Sequence, residues 1–247
     1  TLEDVFRNTR GFYTSNDRNY NYVGVRGFSR PTDYNNRILL LLNGMSVNEN
    51  INGAATIGTD LLIDMSTVER IEIVRGPGSA LYGQYAMFAV VNIITQKGES
   101  AAGLRAAAET GSYGSYGGHM RFGRLFDNGV DLLLAGSRWN RDGADLFFAE
   151  YDDPETNNGV AEGLDWDRST SLNGRLLYGD FALQGYLVSR KKGVPTGVFE
   201  TLFNDGRTET LDELAFVELL YERNLGPGKT LRVRNSLKHY NYRGGYA

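Results

Sequence analysis

The chain is 247 residues long, 41% hydrophobic and carries a net charge of −4, which disfavours a nucleic-acid binder that works by neutralising phosphates. It contains no cysteine, so disulfides, thiolate catalysis and cysteine-based zinc sites are excluded. Its longest aliphatic run, Ile38 to Leu42, is far short of the ~20 residues of a helical membrane span. A membrane β-barrel is not excluded, because its strands alternate polar and apolar residues and read as hydrophilic on average.

The chain opens on "TLEDVFRNTRGFY", with neither the basic start nor the apolar stretch of a secretory signal. Thr1 can cap a helix through Leu2, Val5 and Phe6, with Asp4 in its first turn. "YVGVRGF", Tyr22 to Phe28, reads as a strand with a turn. "RILLLLNG", Arg37 to Gly44, is apolar on both faces and ends in Asn-Gly, the pattern of a buried strand running into a tight turn. "VERIEIVR" is a strand that must stop at Gly76-Pro77-Gly78, since proline can continue neither a helix nor a central strand. "SALYG" supplies one helical turn and "AVVNIITQKG", Ala89 to Gly98, a last buried strand. Residues 1–98 therefore read as a small α+β domain.

From residue 101 the pattern changes to long alternating strands. In "DRSTSLNGRLLYGD", Thr170, Leu172, Gly174, Leu176 and Tyr178 share one face, and Asp167, Ser169, Ser171, Asn173 and Arg175 share the other. "TLRVRNSLKHY" sets Leu231, Val233 and Leu237 against Arg232, Arg234, Ser236 and Lys238, and "HMRFGRLF" sets Met120, Phe122 and Phe126 against His119 and Arg121. Arg124 and Asn235 break the rule on apolar faces, and Leu214, Phe216 and Leu220 break it on a polar one. Short turns at Asp127-Asn128-Gly129, Gly179-Asp180 and Gly226-Pro227-Gly228 alternate with polar loops at Gly111–Gly118, Arg141–Gly163 and Gly193–Glu209. About seven strands of roughly ten residues, with turns at one end and loops at the other, fit a membrane barrel. A soluble sandwich with one solvated face per sheet alternates in the same way. Trp139, Tyr178, Tyr186, Tyr221, Tyr240 and Tyr242 near strand ends are candidates for an interfacial aromatic girdle. An odd number of strands leaves such a barrel open, so the chain is expected to be incomplete.

Four motifs, "VRGF" at Val25, "ILLLLNGMSVN" at Ile38, "VERIEIVRGPGSALYG" at Val68 and "AVVNIITQKG" at Ala89, occur in the order and at the spacing of one family. Residues 1–98 closely resemble the plug domain of TonB-dependent outer-membrane receptors. The resemblance implies an α+β plug followed by antiparallel transmembrane strands, residues 101–247 being the start of a barrel of about 22 strands around a plugged lumen. It also implies the outer membrane of a Gram-negative bacterium, with outer-membrane lipid around the barrel. The partners implied are an inner-membrane TonB-type energy-coupling complex and a small chelate substrate, a ferric siderophore before cobalamin or haem. The coupling motif and about fifteen strands are not in this sequence, which is expected to be a fragment.

Arginines at the positions of Arg26 and Arg75 lock plug to barrel in the family, and both stand here in a Val-Arg-Gly context that suits a bidentate latch. Ordinary solvated strand-end arginines would look the same. The ligand-facing candidates at the plug apices are Tyr13, Asn16, Tyr20, Asn50, Asn52, Tyr82, Tyr85 and Phe88, which combine aromatic faces with amides. Asparagine in loops also has purely backbone reasons to be there. Gly78 and Gly83 have P-loop spacing, but Gln84 and Tyr85 stand where lysine and serine or threonine are required. The acidic run "AEYDDPETNN" reads as a solvated loop before it reads as a cation site, and His119 and His239 lie far apart. No catalytic, metal or cofactor site is expected. The expected role is energy-coupled uptake, the alternatives being a surface receptor or signal transducer without import and a non-transporting barrel remnant.

Overall fold

The computed structural model describes residues 1–30 and 33–247. Helix α1 (Leu2–Arg7) forms where the capping signal placed it, with the Thr1 hydroxyl donating to Asp4 Oδ2 at 2.6 Å. It buries Leu2 and Phe6, and the Phe6 ring stacks on Phe12 at 5.2 Å.

Phe12 begins a strand that no sequence motif marks, within the apical stretch Tyr13 to Tyr20 where a loop is expected. β1 (Phe12–Asn16) pairs antiparallel with β2 (Asn21–Val25). Asp17 closes the hairpin, its Oδ1 accepting the backbone N–H groups of Asn19 and Tyr20 at 2.8 and 2.6 Å, so an Asx turn replaces part of the expected loop.

β3 (Ile38–Leu42), β4 (Met45–Ser46), β5 (Val68–Arg75) and β6 (Ala89–Thr95) form one sheet in the order β4-β3-β6-β5. β3 and β6 run parallel at its centre, which is why both sequences are continuously apolar. The turn between β3 and β4 is Asn43-Gly44, with φ of 49° and 81°, the left-handed pair of a type I′ hairpin. α2 (Ser79–Tyr82) follows the Gly-Pro-Gly break, and the Gly76 and Gly78 N–H groups bond back to Phe88 and Ala86.

β7 (Gly103–Gly111), β8 (Ser115–Leu125), β9 (Asp131–Arg141), β12 (Asp167–Tyr178), β13 (Phe181–Gly193), β14 (Glu209–Gly226) and β15 (Lys229–Gly245) form a seven-stranded sheet, each paired antiparallel with its neighbour. β10 (Leu146–Phe147) and β11 (Val160–Ala161) make a small hairpin inside the loop between β9 and β12. Several strands exceed the expected ten residues; β14 has 18 and so overruns any membrane-wide band. "GSYGSYGG" is mostly strand, with only Ser112 to Gly114 turning.

One face of the large sheet wraps the N-terminal domain and the other carries exposed Leu172, Leu183, Leu187, Val217, Leu219, Val233 and Leu237. The apolar exceptions on the inner face have a cause. Leu214 and Phe216 of β14, with Tyr186 and Val188 of β13, join the core built from Leu40, Val91, Ile93 and their neighbours. Arg124 also has a place, lying 4.9 Å over the Phe126 ring at the short-turn rim.

The girdle expectation holds in part. Tyr221 packs against Phe181 at 4.9 Å and Tyr178 is exposed beside the same turn. Tyr186 and Tyr240 instead face inward, the first buried in the core and the second bonded to Asp212. Trp139 and Tyr242 share inward-facing register positions and line cavities. Proximity to a strand end does not say which face a tyrosine takes; the register does.

Replacing Phe216 with alanine should destabilise the seat of the N-terminal domain by about 3 kcal/mol, the usual cost of truncating a buried aromatic. Amide hydrogen exchange in β3 and β6 would report it, and protection unchanged from wild type would contradict this role for Phe216.

Candidate ligand vestibule and the seam around it

The seam between domain and sheet is polar at both ends and apolar in the middle. At the short-turn end the sheet grips the Asn43-Gly44 hairpin. Asn43 Nδ2 donates to Gln184 Oε1 at 2.9 Å, Gln184 Nε2 donates to Glu218 at 2.7 Å, Arg234 Nε lies 3.1 Å from the same carboxylate, and Arg234 also bonds the Gly44 carbonyl. Nearby, Arg121 donates to Gln96 at 2.7 Å and Asp131 accepts the N–H groups of Gly98 and Glu99. Buried polar groups demand such partners.

At the long-loop end Arg190 holds two segments of the domain. It donates to Asp167 at 3.0 Å and to the Asn19 carbonyl at 2.8 Å, while Asp167 accepts from the Thr59 hydroxyl at 2.7 Å. Lys238 donates to the Asn48 carbonyl at 2.7 Å. Asp212 accepts from Tyr20 of the domain at 3.0 Å and from Tyr240 of β15 at 2.8 Å, a clasp between the two units.

Above this clasp opens a cavity of about 310 Å³. Tyr20, Tyr22 and Tyr34 line it from the domain, Tyr240, Tyr242 and Tyr246 from the end of the chain, and Phe199 from the loop between β13 and β14. Tyr20 meets Tyr34 edge-on at 5.6 Å, and Phe199 meets Tyr246 edge-on at 5.5 Å. Glu49, Asp60 and Asp212 supply its carboxylates. The two long loops support this end as one body, since Tyr151 stacks on Phe203 at 4.2 Å and the Glu162 N–H bonds to Asn204. An aromatic cavity with a few fixed polar groups, opening at the loop end, is suited to hold a small ligand.

A second, wider gap of about 890 Å³ lies between α1 with Asp64 and Ser66 on one side and β8, β9 and β12 on the other. Among the described residues Asp64 Oδ2, Ser66 Oγ, Ser137 Oγ, Arg141 Nε and Arg190 Nη1 border it as buried atoms without a hydrogen-bond partner. A polar gap of this size suits hydration rather than a dry seal.

Of the residues singled out from sequence, Tyr20 and Asn52 line the vestibule and Asn16 lines the wider gap. Asn50 is exposed and lines neither. Tyr13 is exposed on β1 and Tyr82 on α2. Tyr85 packs its ring over Gly53, and Phe88 sits between Phe28 at 6.2 Å and Arg37 at 5.6 Å. Arg26 is exposed, and Arg75 donates to the Arg10 carbonyl at 2.7 Å. Neither arginine meets the seven strands in an ion pair among the described residues. The acidic loop run is spent locally, Asp153 Oδ1 accepting the Glu155 N–H at 2.8 Å.

Sequence reasoning missed Tyr22, Tyr34, Asp60, Asp212 and the tyrosines of β15 as cavity residues. It had placed Arg234 and Lys238 on a polar face, and the parity of each strand would have sent Arg190 and Asp212 inward as well.

Burial pushes the Asp60 carboxyl up to about 6, a shift that nearby Arg190 opposes and Asp212 reinforces. Because the folded-state value is raised, its contribution to stability is complete below the ordinary value of about 4 and is lost as pH rises through about 6. Melting followed between about pH 4 and pH 7 should show the wild type losing of order 2 kcal/mol relative to Asp60→Asn. A wild-type-to-variant difference that stays constant over this range would exclude the burial account.

Residues 1–90 match the family model described as TonB-dependent Receptor Plug Domain. Over 159 residues the chain is 31% identical to the vitamin B12 transporter BtuB of Vibrio vulnificus, covering 63% of this chain and 24% of that protein. Its fold superposes on the ferric yersiniabactin uptake receptor FyuA of Yersinia pestis with a TM-score of 0.68 at 18% identity, over 99% of this chain and 39% of that one. For the FrpB iron transporter of Neisseria meningitidis the TM-score is 0.70 at 13% identity, over 98% and 38%. The chain thus spans about a quarter of the curated relative, and the matched family comprises transporters and receptors rather than enzymes. Among the described residues no helix is long and apolar enough to cross a membrane; the crossing elements are the strands, whose apolar outer face and aromatic rim suit lipid. Residues 1–90 are therefore a plug domain of the TonB-dependent receptors, which are proteins of the Gram-negative outer membrane, and the seven strands after it have the fold of their barrel wall.

Proposed function

We propose that the receptor carrying this chain imports a scarce metal chelate through the outer membrane, with ferric siderophores as the leading substrate class. The observation that carries the reading is that the vestibule is built from both sides of the seam. A ligand against Tyr20 and Asn52 on the plug and Tyr240 on the wall would bridge the elements that Asp212 holds together. Its binding energy can therefore shift how the plug is seated. A TonB-type inner-membrane complex would then supply the force that opens the lumen. Arg26 and Arg75 are proposed as further latches, toward strands beyond the seven; their exposure on plug surface that the seven strands leave uncovered supports this. A cobalt corrinoid is the second reading, supported by the sequence kinship with a vitamin B12 transporter.

Uptake of iron-labelled siderophores and labelled cyanocobalamin by cells carrying the whole receptor tests both readings. One class should accumulate only while the coupling complex is energised, and Tyr20→Ala should weaken its binding about tenfold, the cost of losing a well-packed aromatic contact. Accumulation without the coupling complex would refute energised import. Binding without accumulation would leave a surface receptor instead.

A further inference from the structure

We propose that the vestibule selects chelates that are neutral or cationic and discriminates against polyanionic ones; this rests on the receptor reading and narrows its substrate class. Among the described residues, those lining the cavity include three carboxylates, Glu49, Asp60 and Asp212, and no lysine, arginine or histidine. The nearest cations are turned to other work. Arg190 is committed to Asp167 and the Asn19 carbonyl, and Lys238 to the Asn48 carbonyl.

The hydroxyl donors that could have served an anion are largely spent as well. Tyr20 and Tyr240 both donate to Asp212, and Tyr22 donates to Asp17 at 2.6 Å. Tyr242 and Tyr246 bond to each other. What these side chains still offer a ligand is ring faces, oxygen lone pairs and the single hydroxyl hydrogen that the Tyr242–Tyr246 bond leaves free. Glu49 already draws on the backbone amides around it, accepting the N–H groups of Ile51, Asn52 and Ala54 at 2.5, 2.6 and 2.9 Å.

A polyanion entering such a mouth would meet like charge with no cationic side chain and only neutral donors, such as those of Tyr34, Asn52 and Thr56, to offset it, in a partly desolvated site where Coulomb repulsion is weakly screened. A neutral chelate forfeits nothing on entry and gains apolar and stacking contact with the rings. A chelate with a free ammonium arm gains in addition from the ring faces and the carboxylates. The recognition chemistry is therefore that of a neutral ferric trihydroxamate, a trihydroxamate with one ammonium arm, or a neutral corrinoid, and not that of a triply charged ferric tris-catecholate.

The test is equilibrium binding to the intact purified receptor, read by quenching of intrinsic fluorescence. Four probes are compared: a neutral ferric trihydroxamate, its ammonium-bearing counterpart, cyanocobalamin and a ferric tris-catecholate. The catecholate should bind at least about tenfold more weakly than the best of the other three. Raising the salt from about 0.05 to 0.5 M should narrow that gap by screening the repulsion. Asp212→Asn should also narrow the affinity ratio between catecholate and the best neutral or cationic probe. Catecholate binding as tight as that of the other probes, or a gap indifferent to salt, overturns the charge selection and leaves the receptor reading standing. Failure of all four probes to bind overturns the receptor reading and the charge selection with it.

Discussion

Where the barrel wall closes tightly on the plug, a charged or polar side chain turned inward must find its partner on the plug, because lipid cannot supply one and water is shut out of the contact. This constraint shapes the seam. Arg121, Arg190, Arg234 and Lys238 come from the wall and close on amide or carbonyl oxygens of the plug, while Asp131 and Asp167 accept from plug donors. Plug turns at Asn19, Gly44, Asn48, Thr59 and Gly98 are thus located by strands far away in sequence. Each turn carries backbone groups that its own local structure leaves unpaired, and the wall completes them.

Between the two polar ends the seam is apolar, and there the barrel departs from its own alternation. Tyr186, Val188, Leu214 and Phe216 face the lumen because what they face is the plug's sheet rather than water. The same strands present Leu183, Leu187, Val217 and Leu219 outward, so this stretch of wall is apolar on both sides. The plug in turn gains a core larger than its own 4-stranded sheet could enclose.

The loop end is where this organisation meets function. Asp212 and Arg190 draw the β1–β2 hairpin and the Thr59 turn against β12, β13 and β14, and that same clasp forms the floor under the tyrosine vestibule. In the proposed reading, adhesion between plug and wall and recognition of a ligand therefore share residues, and a ligand in the vestibule bears on both units. The wider gap beside α1, bordered by unpartnered polar atoms, gives the seam a loosely packed flank next to a tightly bonded one.

Sequence alone determined the elements whose signals are local. The apolar runs of β3 and β6, the Asn43-Gly44 turn, the break at Gly76-Pro77-Gly78 and the period-two strands after residue 101 are each written in neighbouring residues, and four motifs together identified the plug. It also flagged Leu214 and Phe216 as exceptions without saying what they packed against. Only the tertiary structure decided which tyrosines look inward, which wall arginines hold which plug carbonyls, and that Tyr20 and Tyr240, 220 positions apart, meet on one carboxylate. The reason is physical. A turn or a strand is set by the dihedral and burial preferences of adjacent residues, whereas a lumenal site depends on the register of several strands and on their fit to a separately folded domain.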